Sequence, residues 1–162
     1  MAGKIYIETT IPSFYHNTRK DAANVARQQW TRKWWDNQPH KQMLVSSYAV
    51  IQELENSGYP AEKRTKCLAL LEPLPLLAET PETQEVVQHY IAHHLMPRDP
   101  SGDALHLAIA SLHGCDFLLT WNCIHLANPL KAGHIRRIND RLGLPTPAMT
   151  TPMNLLGELY EL

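Results

Sequence analysis

The stretch that most constrains this chain runs from residue 103 to residue 120, DALHLAIASLHGCDFLLT. One carboxylate, Asp103, opens a segment so apolar that it belongs inside a protein. Gly114 ends that segment, and a short apolar run, Phe117 to Leu119, follows before Thr120. A helix that is apolar nearly all round has to be covered on several sides. A short continuous apolar run bounded by turn signals reads as a strand buried on both faces, as in a parallel sheet. The stretch also raises a chemical question, because an acid at the mouth of a buried helix lies close to the end of a buried strand.

The same alternation recurs along the chain. Residues 4–8, KIYIE, read as a first strand, 43–47, MLVSS, as a second, and 74–79, LPLLAE, as a third. Residues 9–13, TTIPS, read as a break after the first strand. A helix is expected over 18–36, where Ala23, Ala26, Trp30 and Trp34 recur on one stripe. Further helices are expected over 47–58, stopped by Gly58, over 61–72, and over 80–95. The last of these opens with Thr80 and Pro81 and carries Glu82 and Glu85 in its first turn. A late helix spans 130–143, and residues 148–159 supply a closing strand and a short helix. Strands alternating with helices imply a parallel sheet covered on both faces, a three-layer α/β/α arrangement. With 162 residues, one domain over 1–162 is expected. Sites in such sheets lie outside the carboxyl ends of the strands.

Composition narrows the classes of function. The formal net charge is -1, which argues against holding nucleic acid by overall charge and leaves room for a local basic patch. The three cysteines, Cys67, Cys115 and Cys123, are odd in number and form no CxxC, so a disulfide framework or zinc knuckle is not expected. Reduced thiols and a cytoplasmic setting follow as the expectation. Neither an apolar leader nor a run approaching membrane-spanning length is seen, so no membrane association is expected.

The polar residues at the expected strand ends and helix starts are few. Glu8 ends the first strand, Glu53 lies in the helix after the second, Asp103 opens the buried helix, and Asn122 follows the FLLT strand. Gathered at one sheet edge, such carboxylates repel one another unless a cation neutralises them. Hard oxygen donors without His or Cys suit magnesium or manganese. Each member has a plainer reading: Asp103 as a helix-dipole partner, Glu53 as a solvated acid beside Glu55, Glu8 as a turn residue.

YIETTIPSFY, VIQEL and DALHLAIASLHGCDFLLTWN resemble the PIN domain family, and more narrowly the VapC-like toxins of bacterial type II toxin–antitoxin pairs. The family pattern is an acid followed by Ser or Thr after the first strand, then a Glu on a helix. An Asp opening an apolar helix follows, then Gly, a strand and Thr-x-Asp. The resemblance implies a PIN-like α/β/α sandwich and a magnesium-dependent endoribonuclease, with manganese substituting. It assigns catalytic positions to Glu8, Glu53, Asp103 and Asn122, with Glu8 and Asp103 as metal ligands. It also implies a homodimer and a cognate antitoxin protein. Two departures stand out: Glu8 occupies the usual Asp position, and Asn122 replaces the final Asp, keeping an oxygen but losing a charge. The alternative reading is a PIN-like module that binds RNA or protein and cuts weakly or not at all.

Other residues are weaker candidates. In RQQWTRKWW (27–35), Trp30 and Trp34 belong to the apolar stripe, whereas Arg32 and Trp35 lie off it and are candidates for a substrate or partner surface. His106, one turn after Asp103, either orients an acid, contacts substrate or is a hydrogen-bonded core residue. His125 is a neighbour of Asn122 and a further substrate-contact candidate. His89 and His93 are spaced i, i+4 but lack a third ligand, so an exposed helix face is expected. Lys131, Arg136, Arg137 and Arg141 read as a solvated helix face or a patch for an RNA backbone.

Overall fold

The computed structural model describes residues 3–37, 43–96 and 102–156. In chain order the elements are β1 (Ile5–Ile7), α1 (Thr10–Tyr15), α2 (Ala22–Asp36), β2 (Leu44–Ser47), α3 (Tyr48–Glu55), α4 (Ala61–Leu71) and β3 (Leu76–Leu77). They continue with α5 (Thr83–Ala92), α6 (Asp103–Leu112), β4 (Phe117–Leu119), α7 (Pro129–Arg141), β5 (Ala148–Thr150) and α8 (Pro152–Leu155). Residues 157–162, which include the last three of the expected closing segment 148–159, lie outside the described residues.

The five strands form one sheet in the order β3-β2-β1-β4-β5, and every neighbouring pair is parallel. Every connection is therefore a crossover, and crossovers are right-handed. From β1 through β2 to β3 the chain moves one way along the sheet, and from β3 through β4 to β5 it moves back. That reversal puts α1 to α4 on one face and α5 to α7 on the other. The packing agrees: α1 lies against α2 and α4, α3 against α4, and α5 against α6, while α8 returns to pack on α2. The result is a three-layer α/β/α sandwich. Tyr6, Ile7, Leu118 and Leu119 in the middle strands are wholly buried, with Trp34 and Leu107 among the large side chains that cover them. Among the described residues no helix is long and apolar enough to cross a membrane.

Three expectations about helices need correction. The helix expected from Thr80 starts at Thr83, so Thr80 and Pro81 precede it and Glu85 is the acid of its first turn. Residues 9–13 do not simply break the chain, because α1 starts at Thr10. Pro12 falls in its first turn, where the missing N–H has no partner to lose, and its ring is buried with Ile11. The helix expected from residue 18 starts at Ala22, because Asp21 is extended and its carboxylate accepts the Asn24 N–H at 3.2 Å. Along α2 the buried positions are Thr31, Trp34 and Trp35. Trp35, expected on a partner surface, is 7% exposed and packs edge-on against Trp34 and Tyr15. Trp30 is half-buried and stacks on Trp121, whose Nε1 donates to Thr31 Oγ1 at 2.8 Å. Most of the tryptophan surface of α2 therefore turns inward.

Candidate functional site

The direction of the crossovers reverses between β1 and β4, so a crevice opens at the carboxyl ends of these two neighbours. The register pairs Ile7 with Leu119, which sets Glu8 beside Thr120, and the Glu8 N–H donates to Leu119 O at 3.2 Å. Glu8 is buried at 4% exposure. Its Oε1 accepts from Thr10 N at 3.0 Å, from Thr10 Oγ1 at 2.5 Å and from Thr120 Oγ1 at 2.8 Å. The two hydroxyls are themselves aimed by backbone donors: Trp121 N–H donates to Thr10 Oγ1 and Asn122 N–H to Thr120 Oγ1. Oε1 is thereby saturated, while Oε2 has no hydrogen bond among the described residues. Burial raises the Glu8 pKa above the ordinary carboxylate value, against the lowering influence of His106 and of the threonine hydrogen bonds.

A second polar chain runs beside the first. Ser47 ends β2 and caps α3, its Oγ accepting the Val50 N–H at 3.2 Å. The same Oγ meets the Tyr6 hydroxyl at 2.7 Å, and that hydroxyl meets His106 Nδ1 at 2.7 Å. His106 Nε2 donates to Glu53 Oε1 at 2.5 Å. The imidazole is 1% exposed, whereas the Glu53 side chain is 33% exposed. Burial pulls the His106 pKa down, but the hydrogen bond and charge of Glu53, with the charges of Glu8 and Asp103, outweigh it, and the net shift is upward. Burial, with Glu8 and Glu53 nearby, also pushes the Tyr6 phenol well above its usual value, so Tyr6 stays a neutral link. His106 is a buried, hydrogen-bonded core residue, and its Nε2 also meets Glu53. The imidazole also lies within the electrostatic reach of three carboxylates, Glu53, Glu8 and Asp103.

Asp103 occupies the first turn of α6, half-buried, and its side chain has no hydrogen-bond partner among the described residues. The residue before it, Gly102, has φ +146, and a Cβ there would stand 2.7 Å from Glu53 Oε1 and 3.5 Å from His106 Nε2. The backbone entering α6 therefore presses directly on the His106–Glu53 pair. Glu53 also lines an open cleft of ≈ 500 Å³ with Thr9, Ala49, Gln52, Tyr59 and Leu105.

Glu8, Glu53, Asp103 and His106 thus share one electrostatic neighbourhood. The side chain of Asn122 is engaged elsewhere: its Oδ1 accepts the N–H groups of Ile124 at 3.2 Å and His125 at 3.0 Å, closing its own turn. His125 is half-buried, with Nδ1 3.3 Å from Lys131 Nζ. Arg32 lies in a separate cleft, its Nε donating to Tyr15 O at 2.8 Å. His89 and His93 are exposed and stack on each other. Thr10, Thr120, Tyr6 and Ser47 were not singled out from the sequence. The two threonines carry a signal, since Thr10 lies two residues past the acid that ends the first strand and Thr120 closes the FLLT strand. Tyr6 and Ser47 gave none, because their pairing depends on strand order.

Among the described residues no group of three or more His, Cys, Asp and Glu side chains is arranged to hold a metal ion by itself. Among the described residues the carboxylate oxygens of the site without a protein donor are Glu8 Oε2, the Asp103 carboxylate and Glu53 Oε2. Magnesium commonly takes one or two carboxylates and completes its shell with waters and substrate phosphate, and this donor set is of that kind. Compared with known proteins, the chain matches no family model, and no curated protein is significantly similar to it.

Proposed function

We propose that this protein is a metal-dependent endoribonuclease with a PIN-like fold, hydrolysing RNA phosphodiester bonds as the toxin of a toxin–antitoxin pair in the cytoplasm. The observation that carries the reading is Glu8. It is a buried carboxylate at the crevice between β1 and β4, with one oxygen fixed by three donors and the other unclaimed, beside Asp103 and the His106–Glu53 pair. Burying an acid is costly, and acids buried at a crevice concentrate at working sites.

In this reading Glu8 and Asp103 hold magnesium or manganese. The ion supplies activation of water and neutralisation of phosphate charge when bound. Thr10 and Thr120 keep Glu8 from rotating away from the crevice. His106 Nε2–H occupies Glu53 Oε1, so Oε2 of Glu53 is left to accept a proton from the attacking water. The water oxygen joins phosphorus, the bond from phosphorus to the ribose oxygen breaks, and the departing oxygen takes up a proton from solvent. The cleft along α3 receives the strand. An antitoxin and a second copy of the chain are the proposed protein partners. Ile124 at 70% and Leu130 at 94% exposure are apolar side chains for such contacts, in place of the inward-turned Trp35.

The second reading, a binding module that does not cut, is favoured by one observation: the Asn122 oxygen serves its own turn, which leaves the ion only the carboxylates of Glu8 and Asp103. The test is incubation with total cellular RNA in magnesium, manganese or chelator. Cleavage that needs the ion and is lost in Asp103→Asn is the expected outcome. RNA binding that ignores chelator, with no cleavage in either ion, overturns the nuclease reading in favour of the module.

A further inference from the structure

A second cleft, of ≈ 230 Å³, lies where α1 ends, lined by His16, Arg32, Pro60, Glu62, Lys63 and Lys66 among others. Its charge is not that of the whole chain. The protein carries a formal net charge of -1, yet three permanent cations meet here with one carboxylate. That carboxylate, Glu62, is engaged by Lys66 at 3.1 Å on an exposed turn of α4. Lys63 has no ion pair or hydrogen bond among the described residues, and its ammonium lies 4.4 Å from the centre of the Tyr59 ring. Among the described residues Arg32 uses only Nε, on Tyr15 O, and its guanidinium lies 5.1 Å over the Tyr15 ring, which leaves the terminal nitrogens as donors. The first turn of α4 also borders the cleft, with Pro60 as a cap that offers no side-chain acceptor to its N–H groups. Cations and unfilled N–H donors around one concavity make an anion site. Burial and neighbouring cations act together on two of its members. Burial, then Arg32, Lys66 and Lys63, lower the His16 pKa, and burial, then Arg19, lower that of Lys63.

The cleft also joins the candidate active site. Tyr59 lines the cleft beside Glu53, and Lys63, stacked on the Tyr59 ring, lines the basic one. Ser13 Oγ meets the Tyr59 hydroxyl at 2.9 Å and holds the ring between them. We propose that the cleft of Arg32, Lys63, Lys66 and His16 anchors a backbone phosphate of the RNA strand, with Tyr59 offering a stacking surface between that anchor and the nucleotide being cut. The proposal rests on the nuclease reading and deepens it. It supplies the local cationic contact that a strand needs on a protein without net positive charge.

The anchor contains no metal ligand, so binding through it persists in chelator, where the strand is not cut. The experiment is anisotropy of a short fluorescein-labelled single-stranded RNA in chelator over a range of salt. It compares the wild type with Lys63→Gln, Arg32→Gln, the double variant and Glu62→Gln, each checked by circular dichroism. The double variant is expected to weaken binding about tenfold, with the slope of log K on log salt falling by about 0.7 for each lost phosphate contact. Glu62→Gln is expected to tighten binding. If the wild type cuts RNA in magnesium but the variants bind with unchanged affinity and slope, or the wild type fails to bind in chelator, the anchor is overturned and the nuclease stands. Competition of polyglutamate for the wild type alone, with RNA affinity unaltered by the variants, assigns the cleft to an acidic polypeptide instead. A wild type that neither binds nor cuts RNA removes both readings.

Discussion

At the scale of single residues, Glu8 concentrates the conflict between stability and function. Its side chain is buried, its Oε1 is held by Thr10 and Thr120, and burial raises its pKa, so the ionised form is a cost to the metal-free protein. Glu8→Gln keeps an oxygen for the three donors and removes the charge. The expected outcome is a higher melting temperature in chelator above neutral pH, together with loss of manganese binding by calorimetry and loss of cleavage. A melting temperature that falls in chelator while metal binding survives would mean that Glu8 is a structural acid only. Asn122→Asp tests the opposite change. An aspartate oxygen can still accept the Ile124 and His125 N–H groups, and the second oxygen replaces an amide nitrogen with a charged acceptor. Manganese affinity should rise, by about threefold to tenfold, which corresponds to roughly 0.7 to 1.4 kcal/mol. Unchanged affinity in titrations would show that the turn keeps residue 122 away from the ion.

At the scale of elements, α6 is the piece that brings acid and base together, and Gly102 sets its approach. Gly102→Ala must place a methyl group against Glu53 Oε1 at a φ of +146 that side chains rarely adopt. It is expected to cost about 1–3 kcal/mol in urea unfolding and to lower cleavage by displacing Glu53 from His106. Gly114, just past the end of the same helix, is the comparison. It has φ +66 with open space around its would-be Cβ, and its N–H closes the helix on Ser111 O. Gly114→Ala should lose about 1 kcal/mol from backbone strain alone and leave cleavage intact. Equal loss of cleavage in both variants would refute a specific role for Gly102. Elements of this kind differ in how openly the sequence announces them. The buried helix at 103–112 and the strand at 117–119 were legible because an unbroken apolar run has one physical meaning. α1 was not, because Pro12 breaks a helix in its interior but is tolerated in a first turn, and the letters TTIPS do not tell the two apart. The inward turn of Trp35 was equally hidden. A stripe through Ala23, Ala26, Trp30 and Trp34 assumes one covered face, while α2 is packed by α1 and by α8, and Ala23 is in fact exposed. The four polar candidates at strand ends were readable as positions, whereas the His106 bridge to Tyr6 and Ser47 needed the strand order β2-β1-β4.

At the scale of the whole molecule, the order of the strands turns the site into a reporter on global stability. The reversal between β1 and β4 buries Glu8 and His106 away from screening solvent, with Glu53 and Asp103 partly exposed beside them. Glu8 has its pKa raised from an ordinary value of 4.5, mainly by burial, so the folded protein holds that proton after the unfolded chain has released it. The folded state binds more protons in that window, and stability from this group is lost as pH rises through the folded value. His106 is raised from 6.5 because the surrounding carboxylates outweigh the burial that opposes them. Its contribution is complete below 6.5 and is likewise lost as pH climbs through its folded value. The two groups therefore act in the same direction, and in chelator the melting temperature should decline as pH rises above the ordinary carboxylate value of 4.5 and on past the ordinary histidine value of 6.5. A divalent ion on Glu8 and Asp103 competes with the proton on Glu8, so its stabilisation should grow with pH over the same span. The manganese curve should accordingly run flatter than the chelator curve and separate from it most at the alkaline end. Glu8→Gln should remove that separation while keeping the part of the decline that belongs to His106. Parallel curves with and without manganese in the wild type would sever the link between the buried acid and the ion. The carboxylates would then serve only to hold His106 in the middle of the fold.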